Sequence, residues 1–320
     1  MSDELHVDRS APSTQRVVAV SLAVDLLDIV SNLIVAMLTG SAVIFAEMAQ
    51  GIADAIGSLL LVVGERRSRL PGDERYPAGH TREVFFWALL SSLTMLVIGS
   101  GLSFWRGYAQ LVRLEPLDRP GLALAILVVS VSTNGYAVSQ SYRRLQASGL
   151  SLRQAFREES QPLVKTAFLQ DSLGTASAVV GLLSLLLYAA VGSAPLFDAL
   201  GALTIAGMMV AFAVVLIVQA HHLITGRAVP RRVLTSIREA VLSVPEVEAA
   251  NSLTATFAGS TNVTVDLDLD LREDLTTAEI EEVLDRVRHA ITDRRPEVKH
   301  LRVDLNSPPA PPLRTERDHR

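Results

Sequence analysis

The sequence predicts a membrane protein in two parts: an all-α bundle of six transmembrane helices, then a C-terminal cytoplasmic α+β domain of ferredoxin-like αββαβ type. Three observations predict it. Hydrophobic residues are 49% of the 320 and mean hydropathy is +0.33, too apolar for an ordinary soluble chain of this length. The apolar residues crowd into residues 17–222, in charge-free stretches of about 20 residues, the length that crosses a ~30 Å hydrocarbon core. Beyond residue 227 the pattern changes, and "NVTVDLDLDL" alternates from Val263 to Leu271, the period of a strand with one wet face.

Met1 to Gln15 is polar, lacks the n-region and cleavage site of a signal peptide, and reads as a disordered tail over 1–15. Arg16 to Gly64 is long enough for two spans, with Leu38-Thr39-Gly40-Ser41 as the turn between them. Val84–Trp105, Gly121–Tyr142, Ser172–Phe197 and Ala199–Ala220 carry no charge and supply four more. The expected helices are 16–38, 42–64, 83–108, 119–142, 163–190 and 197–221, a transmembrane domain of residues 16–222. Arg66, Arg67, Arg69, Arg75 and Arg82 crowd the loop after the second helix. Arg143, Arg144, Arg153, Arg157 and Lys165 crowd the loop after the fourth. Because positive loops stay inside, both termini are expected in the cytoplasm and the protein in the plasma (inner) membrane.

The soluble domain is expected over 227–306. Arg231–Leu242 is an amphipathic helix, Val247–Phe257 a strand, Gly259-Ser260 a turn and Val263–Leu271 the second strand. Thr276 with Glu279 forms a capping box that opens a helix to about Arg294. Pro296 stops it, and Val298–Leu305 is the last strand. The proline-rich end, 307–320, reads as disordered.

Composition excludes several chemistries. With no cysteine, disulfides, thiolate metal sites and cysteine nucleophiles are out. The net charge of −5 leaves no basic stripe for nucleic acid. No nucleophile–base arrangement and no phosphate-binding glycine loop is present, so neither catalysis nor a cofactor is expected. The informative residues are ionisable groups inside spans, which are costly and usually face a bundle interior. These are Asp25 and Asp28 on the first helix, Glu47 and Asp54 on the second and Asp171 on the fifth. Glu47, Gln50 and Asp54 fall at i, i+3 and i+7 on one helix face, half of an oxygen-lined cation site. Glu47 is alternatively a hydrated residue near the helix end, Asp25 and Asp28 alternatively line a vestibule, and Gln50 alternatively joins helices.

The words "LTGSAVIFAEMAQGIAD", "PGDERYPAGHTRE", "FLQDS" and "PRR" together resemble the cation diffusion facilitators, dimeric divalent-metal/proton antiporters. The resemblance covers about residues 16–306. It implies a divalent metal cation as substrate, protons as the exchanged ion, a lipid bilayer as the setting and a homodimer. In that family a His or Asp precedes an Asp by four residues on helices 2 and 5, and the two pairs make a tetrahedral site. Here the pairs map to Gln50 with Asp54 and to Ala167 with Asp171. Three readings of the departure stay open. Water, Glu47 or a helix 1 aspartate completes an oxygen-rich site suited to manganese or iron(II) over zinc; or Gln50 tunes a looser site; or the chain is a non-transporting scaffold or regulatory subunit. The family's loop site maps to Asp73, Tyr76 and His80, with tyrosine in place of a histidine. Its charge interlock maps to Arg82 and Gly226, without the acidic partner. The cytoplasmic metal sites map to Asn251, Asp266, Asp304 and Asn306. His221 and His222, at the mouth of helix 6, are read as interface anchors.

Overall fold

The structure, a computed structural model, describes residues 14–77, 79–147, 162–259 and 262–305, with side chains from residue 26 onward except at 144, 145, 147 and 162–167. Expectations for the two tails, for Asn306 and for the side chains of Asp25 and Ala167 lie outside these. Six long helices come first: α1 (Thr14–Thr39), α2 (Ala42–Ser68), α3 (Glu83–Arg113), α4 (Pro120–Ala147), α5 (Pro162–Ala190) and α6 (Pro195–Ile224). Five of them are long and apolar enough to cross a membrane, and α1 is apolar over Leu26–Thr39. Proline opens α4, α5 and α6, at the position where its missing N–H is not needed. Gly40, with φ of +71°, makes the tight link from α1 to α2 in a conformation other residues rarely adopt.

The spans run past their expected ends, α3 reaching Arg113 rather than 108 and α2 reaching Ser68 rather than 64. The ladder of α3 also contains a π-helical segment, Met95–Ser100. There Thr94 Oγ1 donates to Ala53 O at 3.3 Å, and Gly99 packs against Ala53 and Met209.

The bundle interior is built from Ile44, Leu127, Leu185, Tyr188, Ile205 and Met209, all buried. Its outer surface is just as apolar, with Leu26, Val30, Ile34 and Met37 of α1 and Phe104, Trp105, Tyr108 and Val112 of α3 exposed. That distribution suits lipid rather than water. The start of α2 is held by a buried acid from α6. Asp198 is fully buried; it accepts from Ser41 Oγ at 2.6 Å, from Ala42 N–H at 2.8 Å and from Val43 N–H at 3.2 Å. These are donors that a helix N-terminus leaves without partners. Arg106 Nη2 donates to Gly40 O at 2.5 Å beside it. At Gly201 of α6, a Cβ would lie 2.6 Å from Ser184 Cβ and 2.7 Å from Val43 Cγ2, so α2, α5 and α6 meet there only because glycine has no side chain.

The chain divides into two compact units, the second taking in Val63–Trp87 and the residues from Gln219. In the second, α7 (Arg231–Leu242), β1 (Val247–Phe257), β2 (Val263–Leu271), α8 (Thr277–Arg294) and β3 (Val298–Leu305) follow the expected αββαβ order. The sheet order is β1-β2-β3, with β1 antiparallel and β3 parallel to β2. The parallel pair needs a crossover, which α8 supplies. Val283, Val287 and Ile291 repeat every four residues along α8 and are buried with Ile237, Ala240 and Val241 of α7. They pack in one core with Val263, Val265, Leu267 and Leu269 of β2. The capping box is formed in full: Glu279 N–H donates to Thr276 Oγ1 at 3.4 Å and Thr276 N–H to Glu279 Oε2 at 2.7 Å.

Candidate functional site

The α2 face carrying Glu47, Gln50 and Asp54 turns inward. Glu47 is 8% exposed and Gln50 4%, and the Oε1 atom of each is buried without a hydrogen-bond partner. Helix α1 runs back along α2, so that a Cβ on Gly51 would sit 2.9 Å from Ile29 Cγ1. This places Asp28 and Asn32 alongside the same stretch. Asn32 Nδ2 donates to Asp28 Oδ2 at 3.1 Å, and Asn32 Oδ1 is another buried, unpartnered oxygen. Asp28 and Asp54 are the charges that act on Glu47. Of the two readings of Glu47, hydration at a helix end fails because the side chain is buried.

The fifth helix reaches this face through an amide. Gln170 Nε2 donates to Asp54 Oδ1 at 2.7 Å. Its neighbour Asp171 instead accepts from Ser141 Oγ of α4. One turn further along α5, a Cβ on Gly174 would lie 2.7 Å from Asn134 Oδ1 and 3.8 Å from Gln50 Nε2. Two carboxamides, from α2 and α4, thus crowd the bare backbone of α5. Asp54 and Asp171 engage different neutral partners. Among the described residues, no three His, Cys, Asp or Glu side chains are grouped closely enough to hold an ion. Neutral side chains meet three of the carboxylates, Gln170 at Asp54, Ser141 at Asp171 and Asn32 at Asp28, while Gln50 and Asn134 converge on Gly174. Of these only Gln50 stands out in the sequence.

In the loop before α3, Asp73 and His80 do come together. His80 Nε2 lies 3.6 Å from Asp73 Oδ2, and Nδ1 lies 2.6 Å from Glu83 Oε1. Arg67 Nε is 3.0 Å from Glu83 Oε2. Tyr76 sits against the His80 ring, centroids 4.6 Å apart. Asp73 Oδ1 accepts from the backbone N–H groups of Tyr76 and Arg75 at 2.6 and 2.9 Å. These bonds, that of Tyr76 foremost, and His80 hold its carboxyl below the usual carboxylate range. The acid and the arginine, Glu83 and Arg67, are partners that the sequence does not single out.

On the sheet, Asp266 stands in register with Thr254 of β1 and Arg302 of β3, whereas Asp304 stands opposite Asp268. The two candidate ligands are therefore diagonal neighbours rather than a facing pair. Asn251 falls at a register shift in β1. His221 and His222 are exposed in the last turn of α6.

Over residues 18–224 the chain matches the family model described as the cation efflux transmembrane domain. Residues 229–307 match that of the cation efflux protein, cytoplasmic domain. It is similar to the mitochondrial proton-coupled zinc antiporter SLC30A9 of Xenopus laevis, 26% identical over 287 residues, which cover 87% of this chain and 51% of that protein. The Homo sapiens protein of the same name is 26% identical over 262 residues, covering 80% of this chain and 45% of the other. The chain thus spans about half the length of these relatives. The cation-efflux pump FieF of Klebsiella pneumoniae is 27% identical over 262 residues, 81% of each chain. Among solved structures, a MamM CTD is 20% identical and covers 24% of this chain and 93% of its own, with a TM-score of 0.23. With six apolar helices followed by an αββαβ domain, each part matched by the corresponding family model, this multi-pass membrane protein belongs to the cation efflux family, the cation diffusion facilitators.

Proposed function

We propose that the protein carries a divalent cation across the membrane, from the cytoplasm outward in exchange for protons, through a site anchored on Asp54 and Asp171 with Gln50 and Glu47. One observation carries the reading: the Oε1 atoms of Glu47 and Gln50 are buried inside the bundle with no donor to satisfy them. A buried polar atom without a partner is destabilising, and a cation supplies the missing charge. The only histidines on the six helices are His221 and His222 at the end of α6, so the donor set is oxygen. Such a set suits manganese or iron(II) better than zinc. The ligands must be deprotonated to bind metal, which makes proton and cation compete for the same carboxylates. The relatives named as proton-coupled zinc antiporters support that exchange and put zinc on the list of ions to test.

We place the protein in the inner membrane as a homodimer, with both termini in the cytoplasm, on the distribution of arginines and on the match to the family's cytoplasmic domain. The test is uptake of manganese, iron(II), zinc, cobalt and cadmium into reconstituted vesicles under a pH gradient. Uptake is expected to be fastest for manganese or iron(II), and in Asp54→Asn slower by at least roughly 10–100-fold, the cost of losing even a group that only orients a metal ligand. A second reading, a non-transporting scaffold or regulatory subunit, draws on the separate engagement of Asp54 by Gln170 and of Asp171 by Ser141. No flux for any of the five ions decides in its favour.

A further inference from the structure

We propose that Gln170 is a further ligand of the cation site, a carboxamide that donates to Asp54 when the site is empty and turns its oxygen to the cation when it is loaded. The proposal rests on Asp54 being the anchor of that site. Gln170 precedes Asp171 by one residue and follows Ala167 by three, so α5 offers an amide beside the aspartate where its Ala167 offers no donor. Its Nε2 reaches across to α2 and donates to Asp54 Oδ1 at 2.7 Å. This hydrogen bond joins the fifth helix to the acidic face of the second.

A carboxamide carries two N–H donors at one end and an acceptor oxygen with two lone pairs at the other. Next to an unoccupied carboxylate the N–H end is the stable orientation. A dication bound at Asp54 reverses the local electrostatics: it attracts the carbonyl end of the dipole and repels the N–H end. Rotation about the terminal torsion exchanges the two without moving the backbone, and such torsions are broad and two-fold. Gln50, 4% exposed with Oε1 unpartnered, stands on the same face of α2 four residues from Asp54. The loaded site then has two neutral carboxamide oxygens with the Asp54 carboxylate, a hard set for a hard dication. The change of partner also removes a hydrogen bond between α2 and α5 each time an ion binds, which ties cation loading to the packing of those two helices.

The test uses the full chain in nanodiscs with Mn²⁺ as the probe, read by electron paramagnetic resonance. Free Mn²⁺ gives the affinity, and electron spin-echo modulation reports any ¹⁴N bonded directly to the metal. Wild type is expected to show no directly bonded nitrogen. In Gln170→His the imidazole takes the ligand position and a nitrogen modulation appears. Gln170→Glu, which adds a second charge beside Asp54, is expected to bind Mn²⁺ about tenfold more tightly. Gln170→Leu is expected to bind it roughly 10–100-fold more weakly. A purely structural role predicts weaker binding in every variant and no nitrogen signal, and that result overturns the proposal. So does a nitrogen signal already present in wild type. Asp54→Asn separates the two ideas. If it abolishes Mn²⁺ binding while Gln170→His shows no nitrogen, Gln170 is not a ligand although the site stands. If it leaves binding unchanged, or wild type binds no Mn²⁺, the site itself is elsewhere and both fall.

Discussion

A carboxylate or amide oxygen buried without a donor costs about 1–3 kcal/mol, and Asn32, Glu47 and Gln50 each carry one. Replacing such a group by an apolar one of similar shape is neutral or stabilising. Gln50→Leu is therefore expected to melt at the wild-type temperature or above it while losing most of the cation uptake. A variant that unfolds instead contradicts the assignment of Gln50 to function. At this scale the sequence exposed the residues whose presence in a span is expensive. Glu47, Gln50 and Asp54 stood out because leucine or valine is the default in those positions. Gln170, Ser141, Asn134 and Asn32 did not. Neutral polar side chains recur in transmembrane helices as ordinary glue, and only coordinates distinguish the ones that face a carboxylate. The loop shows the same limit: Asp73 and His80 were marked by motif, while Glu83, bonded to the His80 ring, looked like the first residue of the next helix.

Helices and strands were legible almost to the residue where their periods were strong. The alternation of β2 and the box of Thr276 and Glu279 set their elements unaided. Two features were invisible. The π-helical turn at Met95–Ser100 lies where α3 packs on Ala53 and Met209, and no local sequence preference announces it. Asp198 falls at the start of the expected sixth helix and is not singled out by the sequence, yet it is the buried acceptor for three donors at the start of α2. Removing it loses a helix cap and strands buried donors. Asp198→Ala is expected to cost about 2–4 kcal/mol, seen as a lower melting temperature in detergent, with Arg106→Ala milder because that side chain is half exposed and gives one bond. At α8, the backbone N–H of Thr276 is the main cause that holds the Glu279 carboxyl below its usual range. A folded value below the unfolded one adds stability above the carboxylate range, and that contribution disappears as pH falls through the folded value. The difference in melting temperature between wild type and Glu279→Gln is accordingly expected at neutral pH and absent in strong acid.

For the molecule as a whole, the proposed exchange of protons for a cation predicts a pH dependence. Each proton released on binding steepens the apparent metal affinity by about tenfold per pH unit, so Mn²⁺ affinity is expected to rise on going from acid to neutral pH with a slope of at least one. A flat profile argues against competition at the carboxylates. The family and its two-part architecture were readable from whole words of sequence, because lipid and water each impose a composition that no single residue can disguise. How α2 is fastened was not. A rod pinned at one tip can only sweep the other. With Asp198 gripping the first turn of α2, any swing of that helix grows with distance from Ser41. Asp54, about 20 Å along at 1.5 Å per residue, then travels less than Arg66 beyond it, and the wider excursion belongs to the arginine-bearing end.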